Sequence, residues 1–270
     1  MQKVWVNGVQ QDQVSVTDRA FTYGDGLFET IRVSASHPEL LENHLTRLKE
    51  GLKRLKFAED TNALILEDIQ SIKFAGDQIL KVIVSRGEGA RGYALPMNQA
   101  ATRVILLSDR TNYAEQPSEG VSVRICQYQM AINPVLAGLK HLNRLEQVLA
   151  RSEWQGEFAE GVVTDRDGFV VEGTMSNLFW VNDGVIYTPK LDRCGVQGVM
   201  RNFVIQQLMN QGDRVQEGYY PVNALIDADE IFLTNSLIHI WPVKELDSKL
   251  LKVGPVTRKI QTLLQQESSL

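Results

Sequence analysis

Short apolar runs broken by glycine turns constrain this chain more than any other feature. Asn7-Gly8 follows Lys3-Val-Trp-Val6, Asp165-Arg-Asp-Gly168 interrupts the apolar segment 161–172, and Asn182-Asp-Gly184 interrupts 178–187. Asn-Gly and Asp-Gly pairs tolerate the positive φ of a tight reversal, so each is a hairpin signal. Hairpins pair strands antiparallel, which excludes a purely parallel sheet. Helical spacing lies between them. Leu45, Leu48, Leu52 and Leu55 share one face of residues 43–55, with basic side chains on the other. Residues 61–75, 142–155 and 198–211 read as further helices, and Pro255 opens a terminal one running to about 265. The β-branched runs at 79–85, 102–108, 121–128 and 229–234 read as strands. No fixed-period repeat appears. The expected fold class is α/β with mixed sheets.

A chain of 270 residues suits one large or two modest domains. Residues 110–119 (Arg-Thr-Asn-Tyr-Ala-Glu-Gln-Pro-Ser-Glu) are polar and aperiodic. They are the expected linker between an N-terminal α/β domain over 1–109 and a C-terminal α/β domain over 120–270. A hydrophobic fraction of 43% supports a sizeable core and excludes a disordered chain. The net charge of −5 argues against nucleic acid as a partner. No apolar run approaches the ~20 residues of a membrane span. The start, Met-Gln-Lys-Val-Trp-Val-Asn-Gly, has no signal-peptide pattern. Cys126 and Cys194 lack Cys-x-x-Cys spacing, so no disulfide framework or zinc site is expected and a reducing cytoplasm is the simplest home.

Gly87-Glu-Gly89-Ala-Arg-Gly92 matches G-x-G-x-x-G behind a strand. A dinucleotide site needs a helix at the third glycine to receive the pyrophosphate. The next residues, Tyr93-Ala-Leu-Pro96-Met-Asn, leave no room for one. A loop joining two strands and presenting Arg91 is expected instead.

Several residues could carry chemistry. Lys140 lies in Pro134-Val-Leu-Ala-Gly-Leu-Lys-His-Leu-Asn-Arg144, behind a small apolar stretch and ahead of a helix. An amine among apolar neighbours attacks a carbonyl as the free base, although an ordinary helix-start lysine fits the same position. Glu172 ends a strand before Gly173-Thr-Met-Ser-Asn-Leu178, where a carboxylate faces either a pocket or solvent. Arg47 lies among the leucines of 43–55. Gly195-Val-Gln-Gly198-Val-Met-Arg201 opens a helix whose N–H groups suit a phosphate. His37, His44, His141 and His239 show no metal-ligand spacing, so core or surface roles are expected.

Taken together, these segments resemble the fold-type IV pyridoxal-phosphate enzymes. The resemblance is carried by Asp18-Arg-Ala-Phe-Thr-Tyr-Gly-Asp-Gly-Leu-Phe-Glu-Thr30, His44-Leu-Thr-Arg47, Lys140, Glu172-Gly-Thr-Met-Ser-Asn-Leu-Phe179, Gly198-Val-Met-Arg201 and Thr234-Asn-Ser236. Within that group, Ala137-Gly-Leu-Lys-His-Leu-Asn-Arg-Leu-Glu-Gln-Val-Leu149 and Ser85-Arg-Gly-Glu-Gly-Ala-Arg-Gly-Tyr93 look most like the aminodeoxychorismate lyases. These convert 4-amino-4-deoxychorismate to 4-aminobenzoate and pyruvate for folate synthesis.

The resemblance implies roles. Lys140 would form the Schiff base with pyridoxal 5'-phosphate, and Glu172 would pair with its ring nitrogen. Arg47, the backbone of Val199 and Met200, Ser236 and Asn177 would complete the cofactor site. Thr30 would relay a proton to the leaving group. Arg91 and Tyr93 would meet the substrate carboxylates, with Arg144 a further candidate. A homodimer is implied. Glu29 beside Thr30 is shared with transaminases of the group, so a D-amino-acid or branched-chain aminotransferase is the alternative.

Overall fold

The computed structural model describes residues 2–110 and 119–267. Most of the expected 110–119 linker lies outside those residues. Contacts divide the chain into two compact units, Met1–Asn112 with Leu139–Asn143, and Tyr113–Gly138 with Arg144–Leu270. The short segment bearing Lys140 thus packs with the N-terminal unit.

The N-terminal unit contains β1 (Lys3–Val6), β2 (Val9–Gln10), α1 (Arg19–Tyr23), β3 (Gly26–Ser34), β4 (His37–Pro38), α2 (Leu41–Arg54), α3 (Thr61–Gln70), β5 (Gln78–Ser85) and β6 (Thr102–Asp109). Its sheet runs β2-β1-β6-β5-β3-β4, with every pairing antiparallel. Asn7-Gly8 makes the β1–β2 reversal, as the turn chemistry requires. Strand β3 alternates strictly. Leu27, Glu29, Ile31 and Val33 are buried, while Phe28, Thr30, Arg32 and Ser34 are partly exposed. The buried face packs against α2, where Leu45, Leu48 and Leu52 are buried, and α3, with buried Ile65 and Ile69, packs against α2 and β6. Burying each such side chain contributes about 1.5–3 kcal/mol.

The C-terminal unit contains β7 (Val121–Met130), α4 (Leu145–Arg151), β8 (Glu160–Asp165), β9 (Val170–Gly173), β10 (Asn177–Asn182), β11 (Val185–Pro189), α5 (Val199–Asn210), β12 (Val215–Gly218), α6 (Asn223–Ile226), β13 (Glu230–Asn235), β14 (His239–Leu246), β15 (Lys249–Leu250) and α7 (Pro255–Glu267). Its sheet runs β12-β11-β10-β13-β14-β7-β8-β9, with β15 on β14. Three pairings are parallel (β11–β12, β14–β7 and β7–β8) and the rest are antiparallel. Strands β8, β9 and β10 are buried on both faces. Leu178, Trp180, Ile231, Leu233 and Val243 form one core cluster, and Cys126, Trp154, Val163, Val171 and Cys194 form another.

Two expectations need correction. The helix expected over 142–155 is α4, only Leu145–Arg151. Leu142 N–H donates to Gly26 O at 3.0 Å and Asn143 Nδ2 to Gly24 O at 3.0 Å, so those residues serve the neighbouring strand end rather than a helix. The helix over 61–75 stops at Gln70. Strand β14 carries Pro242, which argues against a central strand. Pairing with β7 starts only at Val243, past the proline.

Candidate active site

In the N-terminal unit, residues around Lys140 extend the edge of β3. Phe28 N–H donates to Lys140 O at 2.9 Å, and Leu27 bridges His141. Lys140 is therefore tied to β3 through its own carbonyl and the bridge at its neighbour. Its ammonium lies 4.3 Å from the Phe28 ring centroid, and Lys81 Nζ lies 5.5 Å from the same ring. Thr30, two residues along β3, shares the parity of Phe28 and sits opposite Lys81. A lysine amine, a hydroxyl and an aromatic face thus belong to one strand neighbourhood.

The other face of β3 holds an ion cluster. Glu29 is 2% exposed, yet it sits at a position whose neighbours of like parity are aliphatic. Its Oε1 accepts Arg47 Nε–H at 2.8 Å, and its Oε2 accepts a second Arg47 donor, Nη2, and His44 Nδ1–H at 2.6 Å. Burial alone would raise the Glu29 carboxyl. The Arg47 charge and the hydrogen bonds from His44 and Arg47 outweigh burial and hold the pKa at about 2. Burial pushes His44 below its ordinary value, against the pull of Glu29.

The Gly87–Gly92 segment is a loop from β5 to β6, with no helix. Arg19 N–H donates to Gly87 O and Arg19 Nη1 to Gly92 O, while Gly92 N–H donates to the Tyr23 hydroxyl. Arg91 and Tyr93 stand exposed on this loop, with the Tyr93 ring edge-on to Tyr23 at 5.3 Å.

In the C-terminal unit, Glu172, which is buried, is the penultimate residue of β9, and β10 begins at Asn177. Glu172 Oε2 accepts Val196 N–H at 2.8 Å and Asn177 Nδ2–H at 3.4 Å, and Asn177 Nδ2 also donates to Val196 O at 2.9 Å. Gly198 caps α5 without any side-chain cap, so the N–H groups at Val199 and Met200 open the helix. A Cβ at Gly198 would stand 2.0 Å from Asn177 Oδ1, and only glycine permits that approach. Asn177 pairs with Thr234 across β10 and β13. The buried Thr234 hydroxyl has no hydrogen-bond partner among the described residues. Half-buried Ser236 follows two residues later. An uncapped helix start, a glycine cradle and an orphaned hydroxyl fit a phosphate, and a buried carboxylate fits a protonated ring nitrogen.

Glu160, 1% exposed, fixes the turn between Glu172 and Asn177. Its oxygens accept the N–H groups of Gly161, Thr174 and Met175 and the hydroxyls of Thr174 and Ser176. Asn235 Nδ2 donates to Met175 O at 3.0 Å, tying the end of β13 to the same turn. Arg144 precedes α4. Burial pushes its guanidinium down from the ordinary range, while the charges of Glu172 and Glu146 pull it back. Burial pushes both thiols, Cys126 and Cys194, up to about 12, so neither serves as a nucleophile near neutrality.

The N-terminal unit brings Lys140 near Phe28 and binds Arg47 to Glu29. The C-terminal unit brings together Glu172, Asn177 and the start of α5. From the sequence, His44 had only a generic core or surface role, and Glu29 and Glu160 had none. The signal for Glu29 was its parity with Leu27, Ile31 and Val33, since a lone carboxylate in an apolar row demands partners.

The family described as Amino-transferase class IV matches residues 26–246. An aminodeoxychorismate lyase of Vibrio harveyi is 37% identical over 265 residues, covering 95% of this chain and 97% of the relative. The crystal structure of 4-amino-4-deoxychorismate lyase from Pseudomonas aeruginosa superposes with a TM-score of 0.95 at 44% identity, covering 99% of this chain and 100% of that one. A T.th. branched-chain amino acid aminotransferase, solved with pyridoxamine 5'-phosphate, superposes with a TM-score of 0.83 at 26% identity, covering 98% and 93%.

Proposed function

The chain belongs to the class IV amino-transferase family, and from that premise we propose that it is a pyridoxal-phosphate-dependent lyase acting on 4-amino-4-deoxychorismate. The observation that carries this reading is the match to a lyase of the same length at 44% identity and a TM-score of 0.95, against 26% and 0.83 for the aminotransferase. The products are 4-aminobenzoate and pyruvate, and the cofactor is pyridoxal 5'-phosphate. A D-amino-acid or branched-chain aminotransferase is the weaker reading.

When bound, pyridoxal phosphate would supply an aldehyde for the substrate amine and a ring that accepts electrons. Lys140 would hold the cofactor and, as a free amine, would remove the C4 proton of the substrate. Glu172 would pair with the ring nitrogen, its carboxylate steadied by the bond from Val196 N–H. By the family pattern, Arg47, the N–H groups of Val199 and Met200, Asn177 and Ser236 would hold the phosphate end. The Thr30 hydroxyl relays a proton towards the departing enolpyruvyl group. The bond from C3 to the ether oxygen breaks, the ring becomes aromatic, and the proton lost from C4 is balanced by the one pyruvate gains. Arg91 and Tyr93, exposed on their loop, receive the substrate carboxylates, with Arg144 a further cation.

The same reading makes the protein a cytoplasmic homodimer. Two buried free thiols suit a reducing compartment. Leu145, Val148 and Leu149 of α4, 68%, 59% and 46% exposed, form an apolar stripe that suits a second copy of the chain. No helix among the described residues is long and apolar enough to cross a membrane.

The test is direct. Purified protein supplied with 4-amino-4-deoxychorismate should release 4-aminobenzoate and pyruvate in equal amounts, and Lys140→Ala should abolish both. Conversion of the cofactor to its amine form by D-alanine or leucine, with no 4-aminobenzoate formed, would establish the aminotransferase instead.

A further inference from the structure

We infer that Glu29 is a positioning residue that presets Arg47 for the cofactor phosphate, with His44 as its second anchor. This rests on the assignment of Arg47 to the phosphate made above.

Glu29 occupies the aliphatic row of β3, between Leu27 and Ile31, where an uncompensated carboxylate is costly. An apolar residue would serve packing there at least as well. What the carboxylate adds is direction. It takes Arg47 through Nε and Nη2 together, the two-pronged geometry that fixes a guanidinium in plane. His44 donates Nδ1–H to Oε2, so the carboxylate cannot swing away with the arginine.

The two partners stand three residues apart on α2, which puts them on one helix face. That helix is itself held close to the sheet. A Cβ at Gly51 would lie 2.7 Å from Leu27 Cδ1 and 3.6 Å from Leu139 Cδ2, so the backbone of α2 approaches both β3 and the segment preceding Lys140. An arginine on four rotatable bonds loses much freedom on grasping an anion. Two of its donors are already committed to a rigid carboxylate, so that loss is met before the ligand arrives.

The charge of Glu29 opposes that of a phosphate, so its contribution is orientation rather than attraction. A merely structural role would weaken all ligands together or only the fold. A positioning role through Arg47 weakens phosphate-bearing ligands selectively.

The experiment reconstitutes the full chain, stripped of cofactor, with pyridoxal phosphate and separately with pyridoxal, which lacks the phosphate. Affinities are read from the absorbance of the bound aldehyde, with circular dichroism as the folding check. Glu29→Gln should lower affinity for pyridoxal phosphate tenfold or more while changing that for pyridoxal less than about twofold. Glu29→Gln that folds and retains the wild-type preference for the phosphate form overturns the inference. If Glu29→Gln does not fold, Glu29→Asp decides in the same way, since it keeps the charge but withdraws the fork. Arg47→Ala should erase the preference. An Arg47→Ala protein that keeps it overturns the assignment of Arg47 itself, and this inference with it, whereas loss in Arg47→Ala without loss in the Glu29 variants overturns the Glu29 role alone.

Discussion

Phe28 holds Lys140 twice. Its N–H donates to the lysine carbonyl at 2.9 Å, and its ring lies 4.3 Å from the lysine ammonium. The first contact fixes the backbone and the second fixes the direction of the side chain. An ammonium over an aromatic face gains about 0.5–2 kcal/mol, more as water is excluded. Phe28→Leu removes the ring's negative face and keeps most of the apolar surface. In a double-mutant cycle with Lys140→Met, read from urea midpoints of the cofactor-free protein, the coupling should be about 0.5–1 kcal/mol. A coupling of zero would show that the ring packs beside the amine without attracting it.

Glu29 makes stability depend on acid. Its carboxyl, ordinarily near 4.5, is held at about 2 in the folded chain. The unfolded chain takes up the proton first as pH falls. The stabilisation is therefore complete above about pH 4.5 and disappears as pH falls towards 2. A depression of that size corresponds to about 3 kcal/mol at neutral pH. Asp25 is depressed in the same direction, where burial is outweighed by Arg86 and Arg19, so it steepens the same limb. Glu29→Gln should unfold more easily at pH 7 and lose stability less steeply between pH 5 and 2. Parallel urea-midpoint profiles for both proteins would contradict the depressed carboxyl.

What the sequence disclosed follows from which features are local. The hairpins at Asp165–Gly168 and Asn182–Gly184 need only neighbouring residues to form, and both are where turn chemistry places them. Helix α2 was legible because its leucines repeat within one element. Strand β14 carries Pro242, a local objection to a central strand that is overruled by where its pairing with β7 begins. The start of α4 was misplaced because Leu142 is claimed by Gly26, more than a hundred residues earlier. The same division holds in the candidate site. Glu172, Arg47 and Lys140 announce themselves through family motifs. Glu160 does not, because its five donors come from a turn fourteen to sixteen residues away together with its immediate neighbour.

The close approach of Gly198 to Asn177 predicts a sharp sensitivity. In Gly198→Ala the new Cβ would meet Asn177 Oδ1 at 2.0 Å and Arg201 Cβ at 3.3 Å, so the amide must move. Moving it disturbs the bonds of Asn177 to Glu172 and Val196. The cost in stability should be about 1–3 kcal/mol, as for other overpacked sites. Retention of pyridoxal phosphate should fall more than that of pyridoxal, because α5 opens at this residue. A variant with unchanged melting temperature and unchanged retention would mean that the loop before α5 yields freely.

The stripe on α4 predicts an assembly. Leu145, Val148 and Leu149 occupy i, i+3 and i+4 positions and so share one face, while Ala150 on the opposite side is fully buried. Val148→Asp places a charge in the middle of that face without touching the core. If the stripe meets a second copy, the wild type should run at twice the chain mass in light scattering, and Val148→Asp should run at the mass of one chain with its circular dichroism intact. A two-fold contact presents the stripe to its own symmetry mate, so one substitution acts twice and its effect should exceed that of a surface charge elsewhere, such as Gln127→Asp. A wild type that remains a single chain at millimolar concentration would remove the homodimer from the functional reading, and equal dimerisation of Val148→Asp would move the interface off α4.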